Sequence, residues 1–264
     1  MPTSIAQEFD SIEDTIQAFS KSSIPSIPPL PSNLSIPVSP RSSTNTNPPE
    51  NGEFIVVLDD LSRENEGDLI IAAADLTPEK MAFMIRHTSG LICAPLSPSL
   101  CESLDLPQMV SANQDPNRTA YTISVDTESP LTSTGISAHD RALTCRTLAS
   151  KTATKESFRR PGHVFPLRAR EGGVRERIGH TEAAVEFCRL AGKTPAAAIC
   201  EIVEDGEEVE GVAERSEPGM MRRDGCLAFG KKWGLKVCTI EDLVLYVERT
   251  EGKLVKHAAT NGTK

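Results

Sequence analysis

Ten residues, 59–68, place five carboxylates between two short apolar runs. This acidic loop reads Asp-Asp-Leu-Ser-Arg-Glu-Asn-Glu-Gly-Asp, and the runs at 54–58 and 69–73 are rich in β-branched residues. Such runs predict buried strands, so we expect the acidic loop to be held between two strands. Like charges this close repel one another, and Arg63 is the only cation among them. A divalent metal ion with oxygen ligands is therefore the natural complement. A solvated acidic turn is the simpler alternative.

The composition argues against several classes of function. A formal net charge of -9 disfavours a general binder of nucleic acid or of membrane surfaces, because attraction to phosphate needs a basic footprint. No apolar run approaches the ~20 residues that span a bilayer, and the N-terminus has no basic segment followed by an apolar core. The seven cysteines are scattered without a C-x-x-C pair, which indicates reduced core residues. We therefore expect a cytoplasmic protein without nucleic-acid or membrane partners.

The first 51 residues divide into two contrasting segments. Residues 1–21 carry an apolar residue every three or four positions, which predicts a helix that packs on the domain. Its predicted apolar face consists of Ile5, Phe9, Ile12, Ile16 and Phe19, and its predicted outer face carries Asp10, Glu13 and Asp14. Residues 22–49 differ, because sixteen of these 28 residues are Ser or Pro. Such a segment buries too little apolar surface to fold, so we expect 22–51 to be a disordered insertion.

Strand and helix patterns alternate from residue 52 to residue 253. The predicted strands cover residues 54–58, 69–73, 91–94, 120–125, 163–167, 196–201 and 235–238. The predicted helices cover residues 77–87, 137–149, 181–190 and 220–233, and a last helix begins at Thr239. This alternation predicts a single α/β (α+β) domain with a mixed sheet flanked by helices. We expect the acidic segment 204–217 to be a surface loop and 254–264 to be a flexible tail.

A second region of distinctive chemistry lies at 159–181. Six arginines stand between 159 and 177 against two glutamates, and His163 directly follows a Pro-Gly turn. Residues 177–181, Arg-Ile-Gly-His-Thr, lead into a predicted helix. Free N–H groups at a helix N-terminus, with Arg177 and the Thr181 hydroxyl, suit a phosphate group. His180 could complete a metal site there, although imidazole suits Mn²⁺ better than Mg²⁺. A histidine that caps the helix or packs against it is the alternative.

Glu201 ends the apolar run at 196–200. A carboxylate in such a position is expected to be partly desolvated, and desolvation raises a carboxyl pKa toward values useful for acid–base chemistry. An ordinary, water-exposed residue at the end of a strand fits the same pattern.

Five motifs follow one another along the chain. They are 63–68 (Arg-Glu-Asn-Glu-Gly-Asp), 134–137 (Thr-Gly-Ile-Ser) with Asp140 and Arg141, 160–163 (Arg-Pro-Gly-His), 179–182 (Gly-His-Thr-Glu) and 239–242 (Thr-Ile-Glu-Asp). In this order they resemble the 3,4-dihydroxy-2-butanone-4-phosphate synthase family, and the chain is most similar to its fungal form. The resemblance covers residues 52–253 and the helix at 8–19. No zinc-type cysteine cluster follows, as a fused GTP cyclohydrolase II would require, so the chain resembles the monofunctional type.

The resemblance implies a lyase of riboflavin biosynthesis that converts D-ribulose 5-phosphate into formate and L-3,4-dihydroxy-2-butanone 4-phosphate. It implies Mg²⁺, or Mn²⁺, with two ions per site, and a homodimer with active sites at the subunit interface. By their motifs, Glu64 and His180 are the expected metal ligands, and His163 and Glu201 are the expected catalytic residues. The expected substrate contacts are Arg63, Glu64, Asp68, Arg177, Ile178, Gly179, His180, Thr181 and Glu201. Supporting contacts are expected from Asp59, Glu66 and Thr134.

The residues suit this chemistry. Removing a proton beside the ketone gives an enediolate, and divalent cations stabilise its developing charge. The carbon shift and the loss of formate then require several proton transfers, for which His163, Glu201 and Asp68 are suitable groups. A non-catalytic sugar-phosphate sensor on the same scaffold is one alternative, but it would not need both metal ligands and both catalytic residues. A nucleotide-binding protein is another, but neither G-x-x-x-x-G-K-[ST] nor G-x-G-x-x-G occurs in the sequence.

Overall fold

The computed structural model describes residues 8–21 and 53–254. Its helices are α1 (Ile12–Ser20), α2 (Pro78–His87), α3 (Pro98–Ser103), α4 (Ala138–Leu148), α5 (His180–Leu190), α6 (Arg223–Trp233) and α7 (Ile240–Glu251). Its strands are β1 (Ile55–Leu58), β2 (Gly67–Ala72), β3 (Cys93–Leu96), β4 (Val125–Thr127), β5 (Phe158–Arg168), β6 (Ala197–Glu201), β7 (Val203–Glu204), β8 (Gly219–Met220) and β9 (Lys236–Thr239). The predicted insertion at 22–51, Ile5 and the tail from 255 onward lie outside the described residues.

Seven strands form one mixed sheet in the order β4-β5-β3-β6-β2-β1-β9. The pairs β1–β9 and β3–β5 are parallel, and the other neighbours are antiparallel. Strands β7 and β8 pair separately as a two-stranded ribbon. The expectation of an α/β domain with a mixed sheet and flanking helices is confirmed.

Both faces of the central strands are buried. Along β1, Val56 and Leu58 belong to one hydrophobic cluster, while Ile55 and Val57 belong to the cluster on the opposite face. The first cluster includes residues of α2, α4 and α6, and the second includes residues of α1, α5 and α7. Since neither face meets water, the strands need no polar alternation, which explains the continuous apolar runs in the sequence.

Residues 59–66 connect β1 and β2, so the prediction of an acidic loop between two strands is confirmed, although Gly67 and Asp68 belong to β2 and not to the loop. The two strands pair as an antiparallel hairpin. The register pairs Leu58 with Gly67 at the end of the hairpin. On the other side of β2, Asp68 is the direct partner of Glu201 on β6. Two residues that are 133 positions apart therefore lie side by side on adjacent strands.

Three helix starts agree with the capping signals in the sequence. The side chains of Thr77, Ser137 and Thr239 each accept a hydrogen bond from the backbone N–H three residues later. These bonds satisfy N–H groups that have no partner within the helix, and they fix where α2, α4 and α7 begin.

Helix α1 packs against the sheet and α5, with the Phe19 and Phe187 rings 5.9 Å apart. The prediction that Asp10 lies on the outer face was wrong. Asp10 precedes the helix, and its carboxylate accepts a hydrogen bond from the backbone N–H of Val237 (2.9 Å) on β9. At the other end of α1, Lys21 forms an ion pair with Glu53 (2.7 Å), so the chain leaves at 21 and returns at 53 in one place.

Several element boundaries differ from the predictions. The predicted strand at 120–125 was wrong, because only Val125 lies in β4. Tyr121 and Thr122 form isolated bridges to Leu167 and Gln108, so this stretch shares its hydrogen bonds among several partners instead of following one strand. Strand β5 is longer than the predicted 163–167, and helix α3 was missed. Strand β3 begins two residues later than predicted, and α6 begins three residues later.

The surface and the thiols agree with the sequence. Most residues of 204–217 are exposed, as expected of a surface loop. All seven cysteines are free and buried. Among the helices at 8–21 and 53–254, none combines the length and the apolar character needed to cross a membrane.

Candidate active site

Asp59 organises the acidic loop from inside. Its Oδ2 accepts hydrogen bonds from Arg63 Nη1 (2.8 Å) and the Glu64 N–H (3.0 Å), and its Oδ1 accepts one from the Glu66 N–H (2.9 Å). The loop also passes through a left-handed backbone conformation at Asn65 (φ 53°). Because the loop wraps around one buried carboxylate, Glu64 and Glu66 are presented on a fixed backbone.

Arg222, just before α6, secures the same turn from the other side. Its Nη1 donates to the carbonyl oxygens of Glu64 and Asn65, both at 2.8 Å. Arg222 lies 158 residues from Glu64, and no sequence motif indicates this contact.

His180 is buried, and it faces two carboxylates with one ring nitrogen. Its Nε2 lies 3.1 Å from the Val57 carbonyl oxygen, which can only accept, so Nε2 carries the hydrogen. Its Nδ1 then presents a lone pair 3.7 Å from Asp68 Oδ1 and 3.8 Å from Glu64 Oε2. A lone pair facing carboxylates is the geometry of a ligand set that shares one cation, with the tautomer fixed by a backbone acceptor. Asp59, Glu64 and His180 also form a group whose ligand atoms all lie within 4.8 Å of one another.

The protonation states of this cluster follow from burial. Burial lowers the pKa of His180 to about 4, with Asp59 opposing and Arg63 assisting the shift, so the ring is neutral near pH 7. Burial raises the pKa of Asp68 well above its usual range, and the nearby charges of Glu201 and Glu64 raise it further. Asp68 Oδ1 is buried and accepts no hydrogen bond within the described part of the chain. An orphaned oxygen and a neutral imidazole beside Glu64 therefore fit a divalent cation.

A cavity of about 110 Å³ opens between the acidic loop, α5 and the end of β6. The predicted residues that line it are Arg63, Glu64, Glu66, Asp68, Arg177, His180, Thr181 and Glu201. Glu201 is partly buried, as expected of a strand-end residue that faces a cavity. Predicted residues from three separate segments of the sequence, 63–68, 177–181 and 201, thus converge on one small polar space.

The N-terminus of α5 forms the second wall of the cavity. Gly179 precedes the helix without a side-chain cap, which leaves the first N–H groups of α5 open to a ligand. A Cβ at Gly179 would lie 2.5 Å from Arg177 Nη1 and 3.3 Å from Arg63 Nη2, so a larger residue here would displace the Arg177 guanidinium. Two cations beside an uncapped helix N-terminus form a cradle for an anion. Ile178 is 53% exposed and is not among the lining residues.

Some lining residues were missed by the sequence analysis. They are Cys93, Asp115, Thr119, Tyr121, Leu167 and Ile199. Nearby, Asn117 Nδ2 donates to Glu64 Oε1 (2.6 Å), and Arg177 donates to the Asn117 carbonyl and the Thr119 hydroxyl (both 3.0 Å). The segment 113–119 joins the two walls of the cavity, although its polar sequence resembles that of any surface turn.

His163 and Thr134 are not among the residues that line this cavity. Consecutive residues of β4, Val125 and Asp126, face Val164 and Arg159 of β5, so residues 160–163 form an arch with His163 at its end. Asp126 Oδ1 accepts the His163 N–H and its Oδ2 accepts from Nδ1, both at 2.8 Å, which fixes the ring with its hydrogen on Nδ1. The imidazole remains 42% exposed.

Thr134 is exposed, and its neighbour Gly135 lies against this histidine. At Gly135 (φ +95°), an added Cβ would come within 2.0 Å of Asp126 Oδ2 and 2.7 Å of His163 Nδ1. The turn at 133–135 is held by Asp140, whose Oδ2 accepts from the backbone N–H groups of Ser133 and Gly135. The predicted site is therefore divided in this chain between the cavity and a separate His163 cluster, which consists of Asp126, Thr134, Gly135 and His163.

The mixed sheet, the carboxylate–histidine cluster and the anion cradle define an α/β protein with a cleft suited to a metal ion and an anion. Residues 46–246 match the sequence model of 3,4-dihydroxy-2-butanone 4-phosphate synthase. The chain belongs to this family.

Relatives and solved structures agree with this assignment. The 3,4-dihydroxy-2-butanone 4-phosphate synthase of Pyricularia oryzae is 67% identical over 214 residues, which cover 81% of this chain and 90% of the relative. The Saccharomyces cerevisiae protein of the same name is 47% identical over 203 residues, which cover 75% of this chain and 93% of the relative. A crystal structure of 3,4-dihydroxy-2-butanone 4-phosphate synthase in complex with two magnesium ions superimposes with a TM-score of 0.81 at 60% identity. That alignment covers 93% of this chain and all of the other.

These likenesses confirm the family that the five motifs indicated. The chain is an enzyme, a lyase of riboflavin biosynthesis. Neither the site nor the relatives favour the sugar-phosphate sensor.

Proposed function

We propose that the cavity binds D-ribulose 5-phosphate and converts it into formate and L-3,4-dihydroxy-2-butanone 4-phosphate. The observation that carries this proposal is the meeting of two unlike sites in one cavity of about 110 Å³. One wall offers a neutral imidazole and carboxylates, which suit a divalent cation, and the other offers an anion cradle. A phosphorylated polyol with a ketone needs both.

Glu64 and His180 would hold Mg²⁺, with two ions per site, as in the relative that contains two magnesium ions. The donor set supports this assignment, since His180 Nδ1 lies within 4 Å of both Glu64 and Asp68. When bound, the ions stabilise negative charge that develops on neighbouring substrate oxygens. Mn²⁺ is an alternative, because imidazole suits it better.

Arg63, Arg177 and Thr181 would bind the phosphate end of the substrate, together with the backbone at 178–180. The support is the convergence of both guanidiniums above Gly179 and the open N–H groups of α5. Arg177 is also held by an ion pair with the buried Glu182 (2.5 Å), which keeps the guanidinium in one orientation. A phosphate bound in this way would direct the sugar toward Glu64 and Asp68.

Asp68 and Glu201 would transfer protons inside the cavity. They are direct partners on adjacent strands, and burial together with the nearby charge of Glu201 raises the pKa of Asp68. Asp68 could then hold a proton and exchange it with the substrate carbons and oxygens, with Glu201 beside it in the cavity. His163 would supply a further acid or base, because Asp126 fixes its hydrogen on Nδ1 and leaves Nε2 to exchange protons.

We also propose that the active enzyme is a cytoplasmic homodimer and that His163 and Thr134 reach the cavity of a second copy. The position of His163 outside its own cavity supports this arrangement. Large apolar side chains beside the separated parts of the site are also exposed: Leu91, Leu131, Ile136 and Ile178, each 42–53% exposed. Apolar side chains around a divided site are typical of a surface that pairs with another chain.

Formate release from D-ribulose 5-phosphate by the purified full-length chain tests the proposed function. We expect formate with Mg²⁺ present, loss of formate with a chelator, and recovery when Mg²⁺ is added back. No formate from a folded, metal-loaded dimer that still binds the sugar phosphate would contradict the lyase assignment.

A further inference from the structure

The turn at 88–91 lies directly against Glu201. Ser89 contacts this residue twice: its backbone N–H donates to the Glu201 carbonyl oxygen (2.9 Å), and its hydroxyl donates to Glu201 Oε2 (2.8 Å). The same serine therefore forms hydrogen bonds with both the main chain and the side chain of Glu201. A glutamate with one such partner loses most of its rotamer freedom, so the position of its carboxylate is set by the turn.

The turn itself is held at both ends. The Thr88 hydroxyl donates to the Met84 carbonyl at the end of α2 (2.6 Å), and Arg141 Nη1 donates to the Gly90 carbonyl (2.8 Å). Arg141 is buried in α4, and Gly90 adopts a left-handed conformation (φ 77°). The contacts with α2 and α4 therefore fix the position from which the Ser89 hydroxyl donates to Glu201.

Arg141 belongs to the motif at 134–141, which contributes no residue to the lining of the cavity. Its neighbour Asp140 holds the turn at 133–135 beside His163, while Arg141 holds the turn beside Glu201. Neither of these two residues lines the cavity. Two consecutive residues of α4 thus support the two turns that flank the separated parts of the site.

Glu201 needs such support because its surroundings repel it. Glu66 and Glu64 line the same cavity as Glu201. A carboxylate among like charges would turn toward water unless a donor held it. Ser89 is the uncharged donor in that position.

We propose that Ser89 is a positioning residue of the lyase reaction, whose hydroxyl keeps the Glu201 carboxylate directed into the cavity. The inference rests on the proposed function, because Ser89 acts only through Glu201. Without the hydroxyl, the Glu201 carboxylate would turn away from the cavity whether or not substrate is bound. The anion cradle and the metal ligands would be unchanged.

The test compares four full-length proteins: the wild type, Ser89→Ala, Ser89→Thr and Ser103→Ala. Ser89 is exposed, so its substitutions leave the core intact. Ser103→Ala makes the same chemical change in α3, where the hydroxyl contacts only the Leu100 carbonyl among the described residues. The measurements are kcat and KM for formate release with Mg²⁺, and the thermal midpoint of each protein.

For Ser89→Ala we expect kcat to fall by about 10- to 100-fold and KM to stay within about twofold, as for a misplaced catalytic group. Ser89→Thr should recover most of kcat, because it keeps the hydroxyl, and Ser103→Ala should match the wild type. An unchanged kcat in Ser89→Ala, or equal losses in the Ala and Thr variants, would overturn the proposal. If the wild type itself releases no formate, the proposed function fails, and the role of Ser89 fails with it.

Discussion

Two histidines of the predicted site occupy opposite environments. His180 is 6% exposed and faces Glu64 and Asp68 with a bare Nδ1, whereas His163 is 42% exposed and donates its Nδ1 hydrogen to Asp126. In His180 the backbone carbonyl of Val57 determines the tautomer, and in His163 a carboxylate does. In each histidine, the acceptor at one ring nitrogen determines which nitrogen keeps a free lone pair. The two imidazoles therefore suit different chemistry.

The two environments suit two different roles, metal binding and proton transfer. A buried, neutral imidazole among carboxylates is suited to share a cation but poorly suited to exchange protons with water. An exposed imidazole with a buried aspartate behind it can gain and lose a proton quickly, but here it lies outside the cavity. In the proposed dimer, the first histidine needs only its own chain, whereas the second acts in the cavity of its partner.

The largest expected effect comes from the exposed histidine. His163→Ala should reduce the turnover of formate release by roughly 10²- to 10⁴-fold, the usual contribution of an acid–base group. Its affinities for Mg²⁺ and for the sugar phosphate should stay close to the wild type, measured by calorimetry. His87→Ala, in an aromatic cluster with Phe83 and Trp233, is the matched histidine control. Near-normal turnover in His163→Ala would remove this residue from the mechanism.

The buried histidine should show the reverse pattern. His180→Gln should weaken Mg²⁺ binding by at least ~100-fold, the upper end of the loss seen when outer-shell partners of a metal are removed. Turnover measured at saturating metal should recover partly. Calorimetric titration with Mg²⁺ and Mn²⁺ measures both affinities, and His163→Ala serves as the comparison. Equal metal affinity in His180→Gln and the wild type would exclude His180 as a ligand.

Mixing two inactive variants examines whether the histidines act in different copies. If each cavity combines Glu201 of one copy with His163 of the other, a heterodimer of His163→Ala and Glu201→Gln contains one intact site. Random exchange of subunits should then restore about a quarter of the wild-type activity. Unfolding the mixture and refolding it together, followed by a formate assay, provides the measurement. Failure to recover any activity, with dimers demonstrably mixed, would place both residues in one chain's site.

The smallest expected effect is a pH dependence of metal binding. The pKa of Asp68 is raised by burial and by Glu201, so the metal-free protein holds a proton there that a cation would expel. Metal affinity should therefore rise with pH, by at most about tenfold per unit, until the pH exceeds the Asp68 pKa. His180, with a pKa of about 4, adds no dependence near neutrality. Calorimetry in buffers of different ionisation enthalpy counts the protons, and Asp68→Asn should remove the dependence.

The sequence predicted what depends on local chemistry. The acidic loop between two strands, the capped starts of α2, α4 and α7, and the helix that begins at His180 all agree with their patterns. Asp59 illustrates the limit, because the pattern indicated a charge cluster but not a carboxylate that folds the loop around itself. Roles that the resemblance assigned to individual residues remain predictions.

The contacts that could not be predicted from the sequence depend on strand register and on segments that lie far apart in the chain. No local signal pairs Asp68 with Glu201 across 133 residues, or brings Arg222 to the acidic loop. Likewise, 120–125 has the composition of a strand but divides its hydrogen bonds among several partners. Such contacts follow from how the sheet is ordered, and that order is set by the packing of the whole chain.

The contact between Lys21 and Glu53 has a consequence for how this chain tolerates change. Because the two flanking residues already touch, the 31 residues between them begin and end at one point on the surface. If these residues form the disordered insertion that their composition predicts, altering their number changes mainly the entropy of closing a loop, about 0.6 kcal/mol for each doubling of length. On that prediction, insertions and deletions there would leave every residue of the cavity in place, and the junction would be a natural place to attach a tag or a second domain.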